Sequence, residues 1–252
     1  MHSYMLTKNR IMMRFLRNMK KWKTSYLLPI GSVVVLLFLT SCFDNDEDPV
    51  PVVTDVSYVS IYHGSPDTDG LDIIVGTTGQ INALPFEFED YSNYLNFFSG
   101  DRNLTFTDAN NEVARVLDTV LSFEKGETYS LFIADSLRSI EIIQARDSFP
   151  SVADGETMVR FVHLSPDATS FDVYVDGGKI LSDKSFKEVS EFLPVSSGRE
   201  TFEIRAAGTD EVLLTIPVVE LLDEEYYTFV VNGFVNPPGG NDHGLGSDII
   251  RL

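Results

Sequence analysis

The chain contains a single cysteine, Cys42, among its 252 residues. One thiol excludes an intramolecular disulfide, so the fold must depend on the burial of apolar side chains. With few histidines and no further cysteine, the chain also lacks the Cys and His spacing of a zinc site. No metal or other cofactor is therefore expected, apart from a weak calcium candidate considered below.

Basic residues are scarce after residue 42. The seven charges of residues 1–42 are all basic, and the remainder keeps only 12 Lys and Arg residues beside 38 Asp and Glu residues. The formal charge of that remainder is −26. Such a surface repels nucleic acid and anionic lipid, so no nucleic-acid partner is expected.

Long apolar runs are absent as well. The longest extends from Tyr26 to Leu39 and is interrupted by Pro29, Gly31 and Ser32. These roughly 14 residues are too few for a membrane-spanning helix, which needs about 20. Because the run follows a basic segment, its layout is typical of an export signal.

The end of this run resembles the lipobox of bacterial lipoproteins, which Leu39, Thr40, Ser41 and Cys42 match. The resemblance implies a signal peptide at residues 1–41, cleavage before Cys42 and covalent lipid on Cys42. Each acyl chain contributes about 0.8 kcal/mol per buried methylene, and two or more chains give stable anchoring. Met19 precedes Lys20 and Lys21 and offers an alternative start for a compact signal.

Residues 42–56 combine acidic residues with proline, which predicts a lipidated cysteine followed by a flexible tether. The acids at Asp44, Asp46, Glu47 and Asp48 also resemble an export signal of Bacteroidota lipoproteins. That resemblance implies anchoring in the outer membrane with possible exposure at the cell surface.

The chain repeats a ten-residue motif. The stretch "HGSPDTDGLD" begins at His63 and "HLSPDATSFD" begins at His163, and the similarity continues on both sides of the motif. Two copies of one domain are predicted, at residues 57–150 and 157–252, with a linker at residues 151–156. About 100 residues per copy are enough to bury a core.

Apolar residues alternate with polar ones in each copy, as at Phe202, Ile204 and Ala206. This period is that of half-buried strands, and Gly-containing turns separate the runs. We predict an all-β protein with two tandem Ig-like antiparallel β-sandwiches of about seven strands each. Residues 182–191 are the one segment where a helical turn is considered.

Two segments of the second copy carry a family resemblance: "VRFVHLSPDATSFDVYVDGGKIL" from Val159 and "FKEVSEFLPVSSGRETFEIRAAGT" from Phe186. They resemble the bacterial family named domain of unknown function 4397, and the first copy matches it more loosely. The resemblance implies exported β-sandwich modules, often in tandem, and no established activity.

The repeated motif has a structural and a catalytic interpretation. Proline and aspartate suit the centre of a tight turn, serine can cap it, and histidine can bond to loop backbone or to Asp172. A Ser-His-Asp catalytic set is the competing hypothesis, but no G-x-S-x-G signature accompanies it. The residues of this motif are His63, Ser65, Pro66, Asp67, His163, Ser165, Pro166 and Asp167.

Calcium is a further candidate in the first copy. Asp67, Asp69 and Asp72 surround Gly70, and hard cations prefer clustered oxygen ligands. The second copy has Thr169 at the position of Asp69 and also forms the motif, so the turn does not require a metal.

Aromatic residues are enriched in the first copy, where Tyr91 and Phe98 replace Val189 and Ser196 of the second. These rings, with Tyr94, either fill the core or form an exposed platform for a sugar or a protein. The functional prediction is a non-enzymatic, lipid-anchored interaction or ligand-binding module of the envelope, with an envelope protein or a glycan as possible partner. The alternatives are a glycan-binding accessory of nutrient uptake and, third, a surface hydrolase.

Overall fold

The computed structural model describes residues 55–76 and 79–252, and all regular secondary structure within them is β-strand. The first copy has eight strands: β1 Val56–His63, β2 Leu71–Val75, β3 Gly79–Gln80, β4 Leu95–Phe98, β5 Gly100–Asp108, β6 Asn111–Phe123, β7 Thr128–Ala134 and β8 Glu141–Arg146. The second copy also has eight: β9 Glu156–His163, β10 Phe171–Val175, β11 Gly178–Lys184, β12 Leu193–Ser196, β13 Gly198–Ala206, β14 Val212–Leu221, β15 Tyr226–Asn232 and β16 Gly246–Arg251. The all-β prediction is confirmed, with one strand more per copy than expected.

Each copy is a sandwich of two four-stranded sheets. The first copy has the strand orders β4-β1-β7-β8 and β3-β2-β5-β6, and the second has β12-β9-β15-β16 and β11-β10-β13-β14. The prediction of wholly antiparallel sheets needs one correction per copy, because β1 pairs with β7, and β9 with β15, in parallel. These strands are far apart in sequence and meet only through the fold.

Local sequence explains the β10–β11 hairpin. Asp176 and Gly177 have φ values of 44° and 82°, and two positive φ values in succession are the requirement of a tight type I′ hairpin turn. The segment at residues 182–191 contains no helical turn, because β11 continues to Lys184 and Val189 forms a bridge with Val162. No helix within residues 55–76 and 79–252 is long and apolar enough to cross a membrane.

Each sandwich encloses its own apolar core. Ile61, Ile73 and Phe106 belong to the first core, and Phe161 and Phe202 belong to the second. Burying an aliphatic or aromatic side chain of this size contributes about 1.5–3 kcal/mol, so these cores account for stability without disulfides.

A third apolar cluster joins the two copies. Tyr62 and Phe132 of the first copy belong to one buried cluster with Val162, Val230 and Ile250 of the second. Strands β7 and β9 are therefore buried on both faces, whereas the alternating pattern predicts one exposed face. The two copies share an interface and are not separate modules on a string.

Candidate functional site

The repeated turn motif is buried in both copies. In the first copy the Ser65 amide donates to His63 Nδ1 at 3.3 Å, while the Ser65 hydroxyl pairs with the Thr68 hydroxyl at 2.5 Å. The contact of Ser65 with the imidazole thus uses the backbone N–H, which is not how a nucleophilic serine is activated.

The second copy differs in the hydrogen bonds of both its histidine and its serine. His163 Nε2 lies 3.2 Å from the Thr169 carbonyl oxygen, so its partner is loop backbone rather than Asp172, whose carboxylate binds Lys179 at 2.5 Å. Ser165 Oγ is buried without a hydrogen-bond partner within the part of the chain that the structure describes. The sequence explains this, because Ala168 replaces the Thr68 hydroxyl of the first copy.

Both motif histidines are neutral at ordinary pH. Burial lowers the pKa of His63 and of His163 to about 4 in each case. Their rings pack against aromatic side chains. The centroid of the His163 ring lies 4.6 Å from the centroid of the nearest aromatic ring, and the corresponding distance for His63 is 6.3 Å. A fully buried, neutral imidazole suits a packing role and is poorly placed as a general base.

The motif aspartates hold distant loops. Asp67 accepts a hydrogen bond from the Leu137 amide at 2.8 Å, and Asp167 accepts two from the Val235 and Asn236 amides at 2.7 and 2.8 Å. The Pro66 carbonyl accepts from the Asn241 side chain at 2.7 Å, and Pro166 occupies the corresponding turn in the second copy. The motif therefore connects the ends of the parallel strand pair in each copy.

The calcium candidates do not converge. Asp67 binds the Leu137 amide, and Asp72 accepts from the Gln80 side chain at 2.7 Å. Asp69 is exposed, and no cluster of three or more His, Cys, Asp or Glu side chains suited to a metal occurs within residues 55–76 and 79–252. The geometry gives the calcium hypothesis no support.

The three aromatic candidates lie in different surroundings. Tyr91 packs against the apolar cluster between the copies, and the Tyr94 hydroxyl donates to Asp147 Oδ2 at 2.7 Å. Burial raises the pKa of both phenols. Phe98 is 51% exposed, whereas Tyr91 and Tyr94 are half-buried.

A buried polar cluster between the copies escaped the sequence analysis. Arg160 of β9 donates to the Asp147 carboxylate, to Ser130 at 2.7 Å and to Thr228 at 2.8 Å. Its guanidinium also lies 4.9 Å from the centroid of the Phe192 ring. The available signal was an arginine inside the otherwise apolar strand "TMVRFVH", since a buried charge requires a partner.

Further polar contacts cross the interface. The Tyr62 hydroxyl donates to Asp248 at 2.5 Å and accepts from Asn232 at 2.6 Å. Lys187 of the second copy binds Asp135 and Glu141 of the first at 2.7 and 2.6 Å. The relative position of the two copies is therefore specified by polar contacts as well as by apolar packing.

An open groove of about 570 Å³ lies at the end of the first sandwich. Its floor is apolar and includes Ile81, Leu95 and the buried Phe97, while Phe98 stands at its rim. The polar lining residues are Asn96, Asp101, Arg102 and Asn103. This volume falls within the range of about 300–1,000 Å³ that is usual for small-molecule sites.

The groove is lined by Ile81, which directly follows the short strand β3. Strand β3 pairs with β2 through two residues, whereas β11 pairs with β10 over the length Phe171–Val175. The second copy also has Ser196, Pro194 and Glu200 where the first has Phe98, Asn96 and Arg102. The copies thus share a scaffold and differ at this end.

The fold, the repeat and the turn motif define a tandem β-sandwich protein without a recognisable catalytic set in its described residues. The chain belongs to the family described as domain of unknown function (DUF4397), whose model matches residues 57–170 and 157–240. The two matches confirm two copies of the domain.

Comparison with curated proteins found no match. Among solved structures, the chain is similar to CBMbc (family CBM26) from Eubacterium rectale Amy13K in complex with maltoheptaose. The identity is 11%, with 77% of this chain and 97% of that chain covered, at a TM-score of 0.26. A likeness of this degree says nothing about what this chain binds. The predicted lipobox, Leu39 to Cys42, lies outside the described residues.

Proposed function

We propose that this protein is a lipid-anchored, non-catalytic binding module of the cell envelope, with the groove of the first sandwich as its ligand site. The observation that supports the proposal is the groove itself, an apolar floor of Ile81, Leu95 and Phe97 beneath a polar rim. Binding sites commonly combine apolar walls with a few fixed polar groups.

Rigidity of the groove supports the same proposal. Tyr94 immediately precedes β4, which lines the groove, and its hydroxyl is held by Asp147. Asp147 in turn accepts from Arg160 of the second copy. Through this chain of contacts the second copy fixes the strand that forms one wall of the site, and fixed walls favour binding because less conformational entropy is lost.

A non-catalytic role agrees with the environment of the motif residues. His63 and His163 are fully buried and neutral, and the motif aspartates are occupied by backbone amides. A surface hydrolase would need an accessible acid or base in a cleft, and the polar rim of the groove offers a single carboxylate, Asp101.

Envelope anchoring rests on Leu39, Thr40, Ser41 and Cys42. The test is metabolic labelling with an alkyne fatty acid, followed by separation of membrane and soluble fractions. The wild-type protein is expected to carry the label and to sediment with membrane, and Cys42→Ala is expected to lose the label completely. Labelling of the Cys42→Ala variant would contradict this part of the proposal.

The site is tested by hydrogen exchange of the full-length protein in detergent, with and without a solubilised envelope extract. Slower exchange is expected in peptides covering residues 95–103, which line the groove. The corresponding peptides of the second copy, residues 193–201, are the internal control and should not change. Protection confined to the second copy, or no protection anywhere, would overturn the assignment of the groove.

Two ligand classes remain compatible with such a site, a glycan and a segment of another envelope protein. A glycan ligand corresponds to an accessory protein of nutrient uptake, and the lining residues of the groove favour this class.

A further inference from the structure

We infer that the groove of the first sandwich takes a neutral glycan. This inference rests on the proposed function, because it assigns a ligand class to the same site. Three properties of the groove lead to it: the chemistry of its rim, the state of its charged groups and the shortness of its strands.

The rim combines an aromatic ring with carboxamides. Phe98 is 51% exposed, and Asn96 and Asn103 are exposed beside it. A sugar ring has an apolar face of C–H groups and an edge of hydroxyls, so it can stack on an exposed aromatic ring while its hydroxyls bond to amides.

The charged groups of the rim disfavour an anionic ligand. Arg102 is already used within the β4–β5 corner, where it donates to the carbonyls of Phe98 at 2.8 Å, Ser99 at 2.5 Å and Asp101 at 2.9 Å. The Asp101 side chain accepts from Ser122 and remains on the rim. Three of the five N–H groups of Arg102 are therefore already used by backbone, and a carboxylate or sulfate would also meet the acidic Asp101.

The strands around the groove disfavour a peptide that adds to a sheet edge. Strand β3 has two residues and β4 has four, so an added strand would find few backbone groups. Beyond β3, the Asn82 side chain accepts from the Ile73 amide at 2.7 Å and donates to the Leu71 carbonyl at 2.9 Å. The edge of β2 is thus already paired where a peptide would extend the ladder.

The second copy provides an internal comparison. It has Ser196 and Thr201 in place of Phe98 and Asn103, and Glu200 in place of Arg102. Its corresponding end lacks both the ring and the amide pair. We therefore expect one glycan per chain and not one per copy.

The experiment is isothermal titration calorimetry of the full-length protein in detergent with laminarin, pullulan, mannan and xylan as neutral polymers. Heparin and alginate serve as anionic polymers. We expect binding to at least one neutral polymer, no binding to the anionic ones, and at least about a tenfold rise in Kd for Phe98→Ala. Asn103→Ala should weaken the same binding. The control is Val218→Ala in the second copy, because Val218 is 52% exposed, almost the same as Phe98.

The outcomes separate this inference from the function on which it rests. Failure of all four neutral polymers to bind, binding that Phe98→Ala leaves unchanged, or binding to heparin and alginate alone would overturn the glycan assignment. If the protein fraction of the envelope extract nevertheless protects residues 95–103 from exchange, the groove remains a binding site for another ligand class. If no fraction protects them, the proposed function fails as well. Unchanged melting temperatures would show that the variants are folded.

Discussion

Arg160 of the second copy donates to Asp147 at the end of the first, and the two side chains are only 3% and 0% exposed. The pair lies among hydroxyls, because Ser130 and Thr228 accept from the same guanidinium. A buried ion pair of this kind contributes little net stability, but either partner left alone is costly. The contact therefore penalises any placement of the two copies that separates Arg160 from Asp147.

Arg160→Met is expected to lower the free energy of unfolding by about 3–5 kcal/mol, since it leaves the Asp147 carboxylate buried without its cation. The double variant Arg160→Met with Asp147→Leu should recover part of this loss. Urea unfolding is the measurement.

The control is Arg115→Met. Arg115 pairs with Asp118 and its side chain is 69% exposed, so the expected loss in free energy of unfolding is below about 1 kcal/mol. Equal losses for Arg160→Met and Arg115→Met would contradict the assignment.

Ala168→Thr is expected to stabilise the second copy. The substitution offers Ser165 the hydroxyl partner that Thr68 gives Ser65 in the first copy, and a satisfied hydrogen bond contributes about 0.5–1.5 kcal/mol. Thermal and urea unfolding measure the change. The reciprocal variant Thr68→Ala should destabilise the protein, because it leaves the buried Ser65 hydroxyl unpaired. A neutral result for both variants would show that the two hydroxyls do not form the contact in solution.

The fold was largely predictable because its determinants are local. Alternating residues such as Phe202 and Ile204 define strands, and Asp176 with Gly177 defines a hairpin turn. The parallel pairing of β1 with β7 was not predictable in this way, since it joins segments about 70 residues apart. Burial of both faces of β9 is visible in the run "MVRFVHL", but the sequence does not show what covers the second face.

The candidate site was predicted only in part. Phe98 was recognised because it differs between the copies, whereas Tyr91 and Tyr94 differ for another reason, their use at the interface. The groove lies next to β3, and a two-residue strand has no sequence pattern of its own. Arg160 could have been recognised as buried, but the sequence does not distinguish its partner Asp147 from the other acids of the first copy.

Acid is expected to destabilise the protein through its two motif histidines. Their pKa values are lowered from the ordinary 6.5 to about 4, so the unfolded chain binds more protons between these values. Their contribution to stability is therefore complete above about pH 6.5 and is lost as the pH falls to about 4, by roughly 3 kcal/mol for each ring.

Urea unfolding at pH 7 and pH 4.5 measures this loss. His163→Gln and His63→Gln should each reduce the difference between the two pH values, because each removes one buried imidazole. A pH dependence that is the same in wild type and His163→Gln would contradict the role given to burial.

Gly233→Ala is expected to be among the most damaging single substitutions in the second copy. Gly233 has a φ of 74°, and a Cβ at this position would lie 2.1 Å from the Gly244 carbonyl oxygen. Backbone cannot yield as a flexible side chain can, so the loop that follows β15 would have to move.

Gly240→Ala is the matched control, because Gly240 also has a positive φ, 90°, but has open space around it. The control should cost only the strain of its backbone conformation, about 1–2 kcal/mol. The measurement is the melting temperature of each variant. A Gly233→Ala protein as stable as the Gly240→Ala protein would show that Gly233 and Gly244 do not approach closely in solution.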